Sequence, residues 1–348
     1  MQIDFHFYAI YALARAAGFK PGDAHTIAYS SQYTDDAKYE HPLDFENGGR
    51  FQQVLSAHRF LDPDVLIKPT CYRIWVPFHF LPGNLGQDFY ERMLVRANSV
   101  VAQRMLQKFL GTDLTPYSLQ RLGIILHTYA DTWSHQNFMG LIHDMNDAKR
   151  VKVEGTGKGF LKSLISKLKK EVLEYYAPKL GHAQAGTIPD EPYRKWRYTD
   201  YKGDCFQISN QERSLDAAQN CYMLLLRFLE RFPQVSHSPA LSWERILGGI
   251  GELLILKGEI KDRVYAWQKS ISTGRIGFEV QDKDTKLTYD DREWFKAAIS
   301  VKIEEEKEVY TRKEGFERSH FKHFHDAAAF HRFCLLHEIL PEYGIICG

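Results

Sequence analysis

The chain has 348 residues, with 45 Lys and Arg against 44 Asp and Glu, and 44% of its residues are hydrophobic. The balanced charge excludes a polyanion-binding surface spread over the whole protein, and the hydrophobic content excludes a largely disordered chain. The 15 histidines are the more informative feature, because histidine is the commonest metal ligand in proteins and titrates near neutral pH.

Hydrophobic periodicity and the positions of Gly and Pro predict helices along most of the chain. We therefore expect an all-α, mainly helical fold with a few short strands or extended loops. The predicted helices span residues 8–17, a second stretch ending near 37, then 51–60, 88–110, 116–138, 158–176, 212–232, 241–256, 290–310 and 316–339. Two stretches have strand character, residues 72–80 and a hairpin at 276–287.

These elements indicate a single mainly helical domain over residues 1–348, with a second domain boundary near residue 205 as the alternative. The motifs described below lie within residues 1–200, which we expect to form the core of a metal site. Residues 205–348 form a helical C-terminal part. Residues 151–170 are rich in Gly and Lys, which indicates a loop or an insertion.

The compartment is predicted from three features. The first eight residues carry Asp4 and His6 where a secretory signal has basic residues, and no apolar run reaches the ~18 residues of a membrane-spanning helix. The five cysteines form no CxxC pair, which is typical of free thiols in a reducing compartment. We expect a cytoplasmic protein, with secretion by a signal-less route left open.

The segment LHTYADTWSHQNF contains the strongest motif of the chain. His127, Asp131 and His135 recur at intervals of four, so all three project from one face of a helix. Imidazole nitrogens and a carboxylate at this spacing can bind Zn²⁺, with Asp131 placed to bridge to a second ion. The alternative is a polar, hydrogen-bonded face, although buried charges on so apolar a helix would need partners or a metal.

Three other segments supply candidate ligands. His6 follows Asp4 near the start of the chain, and Asp35 and Asp36 form adjacent carboxylates in YTDD at the end of a predicted helix. The helix dipole opposes negative charge at that end, so these two acids need a cation, which a metal or a neighbouring Lys would supply. His79 lies in the apolar segment WVPFHFLPG, where it is either a ligand or a core histidine.

Together these motifs resemble those of known protein families. An HxxxD pair followed by a further His, with an upstream Asp and a His on an intervening segment, resembles the zinc-dependent phospholipase C and single-strand nuclease superfamily. IDFH, YTDD, WVPFHFLPG, LHTYADTWSHQ and LGHAQAGTIPD are more closely similar to blocks of an uncharacterised bacterial family of unknown function. The closer similarity covers roughly residues 1–200.

The superfamily resemblance implies an all-helical phosphodiesterase with two or three Zn²⁺ ions. The implied ligands are His6, Asp35 or Asp36, His79, His127, Asp131 and His135, with His182 and Asp190 as looser matches. Asp131 or Asp36 would orient the attacking water as general base. Superfamily members also use a free amino terminus as a ligand. Here Met1 with Asp4 would have to take that place, or the third ion is lost.

Two segments bear on the substrate. The pattern of residues 158–176 predicts a basic amphipathic helix that carries Lys162, Lys167 and Lys169. Such a helix either lies on an anionic membrane or packs on the domain. The segment KWRYTDYK, with Trp196, mixes aromatic and basic residues as nucleic-acid sites do, or is a packed loop.

We therefore expect a zinc-dependent hydrolase of phosphoesters, with phospholipid ahead of nucleic acid as substrate. The alternative is a helical binding protein with a structural metal or a polar core. The five histidines of the C-terminal predicted helix scatter around it, and we expect them to form a solvated or packing face rather than a metal site.

Overall fold

A computed structural model describes residues 1–39, 41–57, 70–155 and 179–346, and this part of the chain is mainly α-helical. The expected mainly α fold class is thereby confirmed. The helix predicted at 158–176 and most of the expected insertion at 151–170 lie outside the described residues. The α-helices are α1 (Ile10–Ala17), α2 (Pro21–Asp36), α3 (Phe89–Met93), α4 (Val100–Leu110), α5 (Ser118–Ser134), α6 (Asn210–Arg231), α7 (Trp243–Leu254), α8 (Ile260–Ser272), α9 (Asp282–Thr285), α10 (Glu293–Ala298), α11 (His320–Phe333) and α12 (Leu340–Glu342).

Three helical segments have the wider π geometry, in which each N–H bonds five residues back. They are π1 (Asp4–Ala9), π2 (Cys71–His79) and π3 (Cys334–Ile339). π1 runs directly into α1, and π3 continues from α11. Segments of this kind are frequent at functional sites, and two of these three carry a predicted ligand, His6 or His79.

The described strands form three small antiparallel sheets. β1 (Leu43–Asp44) pairs with β2 (Arg50–Phe51), and β3 (Lys149–Val153), β4 (Lys195–Thr199) and β5 (Cys205–Ser209) form a three-stranded sheet in that order. β6 (Ile299–Glu304) pairs with β7 (Lys307–Arg312) as a hairpin.

The structure corrects the prediction of a strand at residues 72–80. The segment is the helix π2, and its backbone carbonyls are bound from outside. The hydroxyl of Thr128 donates to the carbonyl of Phe78 at 3.0 Å, and Nε2 of His331 lies 3.0 Å from the carbonyl of Pro77. The apolar residues of this segment are buried on several sides, so they lack the single stripe that signals a helix.

Two predictions in the C-terminal half were also wrong. The expected hairpin at 276–287 contains the short helix α9, whose first turn is capped by Gln281 and Asp284. The expected helix at 290–310 ends at Ala298 and becomes the β6–β7 hairpin, whose turn residues Glu305 and Glu306 have φ of 48° and 64°. Helix α8 was not predicted.

Helices α2 and α5 pack against each other at the centre of the fold, and they carry Asp35 and the predicted HxxxDxxxH motif respectively. Gly123 permits their close approach. A Cβ at this position would lie 2.3 Å from the carbonyl oxygen of Ile27 and 2.6 Å from the Cβ of Ser30. The absence of a side chain at Gly123 therefore determines how near the end of α2 comes to the buried face of α5.

The histidines of α11 include two packing residues, in line with the expectation. His325 and His331 are buried, and the Nδ1 of His325 accepts a hydrogen bond from the backbone N–H of Val54 at 3.0 Å. Burial lowers the pKa of each imidazole to about 3. Both rings are therefore neutral in the folded protein at neutral pH.

Buried neutral histidines make stability depend on pH, and His325 is the one to test. The folded pKa is depressed below the unfolded value of about 6.5, so its contribution to stability is complete above pH 6.5 and declines as the pH falls towards 3. At pH 5 the loss is about 2 kcal/mol. His325→Asn keeps an acceptor for Val54, and we expect it to flatten the fall in unfolding free energy between pH 6.5 and 5, measured by urea titration.

The matched control is His337→Asn, which removes an exposed imidazole near the end of the same helical stretch. Parallel stability curves for wild type and His325→Asn over this pH range would contradict the assignment of a neutral buried His325.

Candidate metal centre

The structure brings together eight of the nine predicted ligands from five separate parts of the chain. Their donor atoms form three groups, within each of which all donor atoms lie within 4.8 Å of one another. The groups are His6 with His127 and Asp131, Asp35 with His79 and His127, and His135 with His182 and Asp190.

Asp131 connects the groups through its two oxygens. Its Oδ1 lies 3.1 Å from Nε2 of His6 and 2.6 Å from the nitrogen of Met1. Its Oδ2 lies 3.3 Å from Nε2 of His127 and 3.5 Å from Nδ1 of His79. The carboxylate is 2% exposed, so it sits between two sets of donors with almost no water around it. The two oxygens of Asp131 thus each face a different set of donors, and its predicted role as a bridging ligand stays a prediction.

The two adjacent acids of YTDD have different surroundings. Asp35 Oδ1 lies 3.7 Å from Nδ1 of His79 and 3.8 Å from Nε2 of His127, so Asp35 joins the group. Asp36 lies outside all three groups. Its carboxylate accepts hydrogen bonds from Gln32 at 3.0 Å, Lys38 at 3.2 Å and Tyr289 at 2.8 Å.

The third group forms where the chain after α5 meets the loop that precedes β4. Asp190 Oδ1 lies 3.3 Å from Nε2 of His135, and its Oδ2 lies 3.5 Å from Nε2 of His182. Gly181 has φ of 52°, and a Cβ there would lie 2.3 Å from the ring of Phe80. A glycine is thus required for His182 to approach this group.

Hydrogen bonds to backbone carbonyls fix the orientation of three of the five rings. Nε2 of His79 lies 2.7 Å from the carbonyl of Ser56, Nδ1 of His135 lies 2.7 Å from the carbonyl of His79, and Nδ1 of His182 lies 3.0 Å from the carbonyl of Gly186. A carbonyl can only accept, so each of these nitrogens carries the proton. In the neutral ring the opposite nitrogen is then a lone pair, and in each case a carboxylate lies within 3.7 Å of it. For His79 this nitrogen, Nδ1, also lies 3.1 Å from Nε2 of His127, which donates to it in the tautomer that carries the proton there.

An imidazole lone pair and the carboxylate oxygen that it faces repel each other unless a cation lies between them. This arrangement fits a metal: histidine ligands in proteins bind with one nitrogen while the other donates to a carbonyl or carboxylate. Two ligands at about 2.0–2.1 Å from a tetrahedral zinc lie roughly 3.3–3.4 Å apart. The nitrogen-to-oxygen distances of the groups run from 3.1 Å for His6 to 3.8 Å for Asp35, a range that includes that separation.

The carboxylates of the centre favour the positively charged form of two nitrogens. Burial lowers the pKa of His135, but Asp131 and Asp190 outweigh it, and the pKa is raised. Burial opposes charge on the Met1 amino group in the same way, and the same two carboxylates raise its pKa to about 11. The pKa of Asp190 is correspondingly well below its usual range, against the effect of burial.

The side chains of the centre differ in their exposure to solvent. Asp35 is the most exposed side chain at 32%, followed by Asp190 at 16% and His182 at 13%. The remaining rings of the groups, and Asp131, are at most 6% exposed. Water therefore reaches the centre mainly at Asp35, Asp190 and His182.

Residues outside the predicted set hold the N-terminal segment in place. Arg263 of α8 donates to the Asp4 carboxylate and to the side-chain oxygen of Gln2, and both members of the Arg263–Asp4 pair are 3% exposed. This pair fixes the start of π1, and with it the position of His6 and Met1. No sequence motif marks Arg263, because its partner lies 259 residues away.

Loss of Arg263 should destabilise the protein strongly. Arg263→Met leaves Asp4 as a buried carboxylate without its cation, and we expect the free energy of unfolding to fall by about 3–5 kcal/mol. Urea unfolding measures the change. The control is Lys261→Met on the same helix, whose side chain is 75% exposed and whose loss should cost at most about 0.5 kcal/mol. Equal effects of the two substitutions would contradict a structural role for the pair.

Of the four predicted membrane or substrate contacts, Trp196 is the one that the described residues include. Lys162, Lys167 and Lys169 lie outside the described residues. Trp196 is buried in β4, where it is 2% exposed and its Nε1 donates to the side-chain oxygen of Asn210 at 2.9 Å. The expectation that Trp196 contacts a ligand at the surface is therefore corrected: its ring belongs to the core.

A family model matches residues 1–339, almost the entire chain. The chain belongs to a family of unknown function, DUF6765. The expected membership of an uncharacterised family is thereby confirmed. Neither a curated protein nor a solved structure matches the chain. Among the described residues of this DUF6765 protein, no helix is both long enough and apolar enough to cross a membrane.

Proposed function

We propose that this protein is a zinc-dependent hydrolase of phosphoester bonds. The observation that carries the proposal is the arrangement of His79, His135 and His182, whose protonated nitrogens face backbone carbonyls while their bare nitrogens face Asp131, Asp35 and Asp190. Such a buried arrangement of acceptors is costly without a cation. Imidazole and carboxylate in this ratio favour zinc.

The resemblance to the zinc-dependent phospholipase C and single-strand nuclease superfamily supports the same proposal. It implies a paired site from an upstream Asp, a His and an HxxxD motif, and Asp35, His79, His127 and Asp131 lie together. It also implies a separate ion near the last His of the motif, and His135 lies with His182 and Asp190. The donors near Met1 and His6 would hold a third ion through Oδ1 of Asp131.

The charge of such a centre suits a phosphate ester. Zinc ions bound to these residues would supply a water of lowered pKa and polarise a phosphoryl oxygen. The three groups contain three carboxylates, Asp35, Asp131 and Asp190, which leaves the loaded centre positive with two or three divalent ions. An anionic phosphodiester or phosphomonoester is attracted to such a centre.

The burial and the hydrogen bonds of each carboxylate indicate which role it would have in the reaction. Asp131 is buried with both oxygens engaged, so it positions the rings around it. Asp36 is bound by Lys38 and Tyr289, which leaves it little freedom to act as the base. Asp35 is partly exposed and engages the group through Oδ1, so its Oδ2 is the oxygen best placed to take a proton from the attacking water.

The competing function is a binding protein with a polar core. It is favoured by the charges of the centre itself, because Asp131 and Asp190 raise the pKa of both the Met1 amino group and His135 and so favour a charge-paired polar core. The two functions differ in whether metal is bound, so metal content separates them.

We expect purified protein that has not met a chelator to contain two or three zinc ions per chain, measured by inductively coupled plasma mass spectrometry. Because Asp131 serves two groups, Asp131→Asn should leave about one ion, whereas His182→Ala should remove one. Asp36→Asn lies outside the groups and should retain all the metal. Less than one zinc per wild-type chain would contradict the enzyme proposal. So would a loss of zinc in Asp36→Asn equal to that in the ligand variants. Circular dichroism checks that each variant is folded.

The reaction is tested with a chromogenic phosphodiester and then with two natural classes of substrate. Asp35→Asn should lower kcat by about 10²-fold or more if Asp35 takes the proton, while Asp36→Asn should remain close to wild type. Release of phosphorylated headgroup from phosphatidylcholine vesicles should exceed cleavage of a single-stranded oligonucleotide. Zinc-loaded protein that turns over neither substrate nor the chromogenic diester would favour the binding protein.

A further inference from the structure

The exposed part of the β6–β7 hairpin carries apolar side chains. Ile303 is 78% exposed and Val301 is 41% exposed, and every residue of β6 from Val301 to Glu304 is exposed. Successive side chains of a strand point to opposite faces, so both faces of the hairpin are open to solvent here. Exposed β-branched residues on a strand favour pairing with another strand where one edge is free.

β6 is the edge strand of its sheet. The outer side of β7 is covered, because Tyr310 forms a parallel bridge with Phe45 and its carbonyl accepts the backbone N–H of Glu46 at 3.0 Å. β6, in contrast, pairs with β7 alone among the strands of the described residues. Within the part of the chain that the structure describes, one edge of β6 therefore remains for a strand from another molecule.

The turn of the hairpin determines which backbone groups point out from this edge. It has two residues, Glu305 and Glu306, and the residues beside it, Glu304 and Lys307, lie directly opposite each other. In such a hairpin the pair next to the turn exchanges hydrogen bonds, and the exchange recurs at every second residue. The even-numbered residues of β6 thus bond to β7, and the outward N–H and C=O groups belong to Ile299, Val301 and Ile303.

This edge is complementary to itself when a second copy runs antiparallel to it. If Val301 lies opposite Val301 of the copy, Ile299 lies opposite Ile303, and these β-branched side chains form one apolar row across the two strands. Val301 then exchanges backbone hydrogen bonds with its copy. The N–H of Ile303 reaches the C=O of Ile299, whose own N–H already donates to the carbonyl of Phe295. Of the outward groups, the C=O of Ile303 is then left to water.

The charges of the hairpin favour the same antiparallel arrangement. Its tip is acidic at residues 304–306, all three of which are glutamate, and its base carries the exposed side chains of Lys296 and Lys313. Lys296 pairs with Asp290 of its own chain at 2.8 Å, whereas Lys313 donates to a backbone carbonyl. Antiparallel pairing places each acidic tip beside the basic base of the other copy, so the two charges attract.

The position of Lys302 selects among the registers of such a pair. A lysine on an edge strand commonly prevents pairing. With the axis at Val301, Lys302 lies opposite Ser300 of the copy, whereas the next register with the same hydrogen-bonding pattern places Lys302 opposite Lys302, where like charges repel. A register centred on Ile303 would extend into the turn, where Glu305 has left the extended conformation. The register centred on Val301 is therefore favoured.

We propose that β6 is a dimer interface, at which a second copy of this chain pairs antiparallel with β6 about a two-fold axis at Val301. Such an interface is isologous, so one surface supplies both sides of it. Main-chain hydrogen bonds give strand addition its affinity. The paired stretch is short, so the dimer belongs to the weak class of complexes, with a dissociation constant of about 10–100 μM. The interface contains none of the residues of the candidate metal centre, so it does not depend on the proposed hydrolase function.

Sedimentation velocity over a concentration series tests the interface. The mass of the wild-type protein should rise from one chain to two as its concentration passes through about 10–100 μM. Val301→Lys places two cations at the axis and should keep the protein monomeric throughout. The matched control is Ile255→Lys, because Ile255 is 48% exposed at the end of α7, and it should dimerise as wild type does. A wild type that stays monomeric through this range, or a Val301→Lys dimer of unchanged strength, would overturn the proposal.

Cysteine cross-linking tests the register, in a protein that carries Cys205→Ser and Cys347→Ser to remove the exposed thiol and the terminal one. Ser300 and Lys302 of the two copies lie opposite each other with their Cβ atoms close, since neither directs its backbone groups to the other copy. Ser300→Cys mixed with Lys302→Cys should therefore form a disulfide-linked dimer under mild oxidation, and each variant alone should form much less. If Lys302→Cys links to itself as readily as the mixture does, the axis does not lie at Val301.

Discussion

The burial of the Asp131 carboxylate governs the rest of this structure. A buried charge has lost its water, so opposite charges or hydrogen-bond donors must surround it. Here each oxygen of the Asp131 carboxylate faces its own set of nitrogens. Those nitrogens belong to Met1 and to side chains of π1, π2 and α5, so the compensation of one side chain specifies how the amino terminus and three helical elements meet. The hydrogen bonds of His79 and His135 to backbone carbonyls extend this constraint outward into the main chain.

The sequence was sufficient for the part of the centre that lies on one helix. His127, Asp131 and His135 follow from helical spacing alone, whereas the choice between Asp35 and Asp36 does not. Adjacent residues on a helix point about 100° apart, and the one that faces the centre depends on the rotation of α2 against α5. That rotation is set by the contact at Gly123, which is a tertiary feature.

The difference between local pattern and tertiary contact also explains the errors in the predicted secondary structure. The β6 strand has the alternating pattern of Ile299, Val301 and Ile303, but its Glu and Lys residues favour a helix, and its turn residues Glu305 and Glu306 are not the Gly or Asn that marks a hairpin. In π2 the apolar residues are held by Thr128 and His331, which lie far along the chain. Local pattern cannot show such partners.

The distance in sequence between Asp4 and Arg263 has a consequence for synthesis. All eight clustered donors have been translated once residue 190 is added, yet the arginine that fixes the N-terminal turn is added more than seventy residues later. Until then the nascent chain carries the histidines and carboxylates of the centre with no anchored first turn. The proposed zinc centre would therefore be completed only after residue 263 has been added and folded, late in the synthesis of the chain.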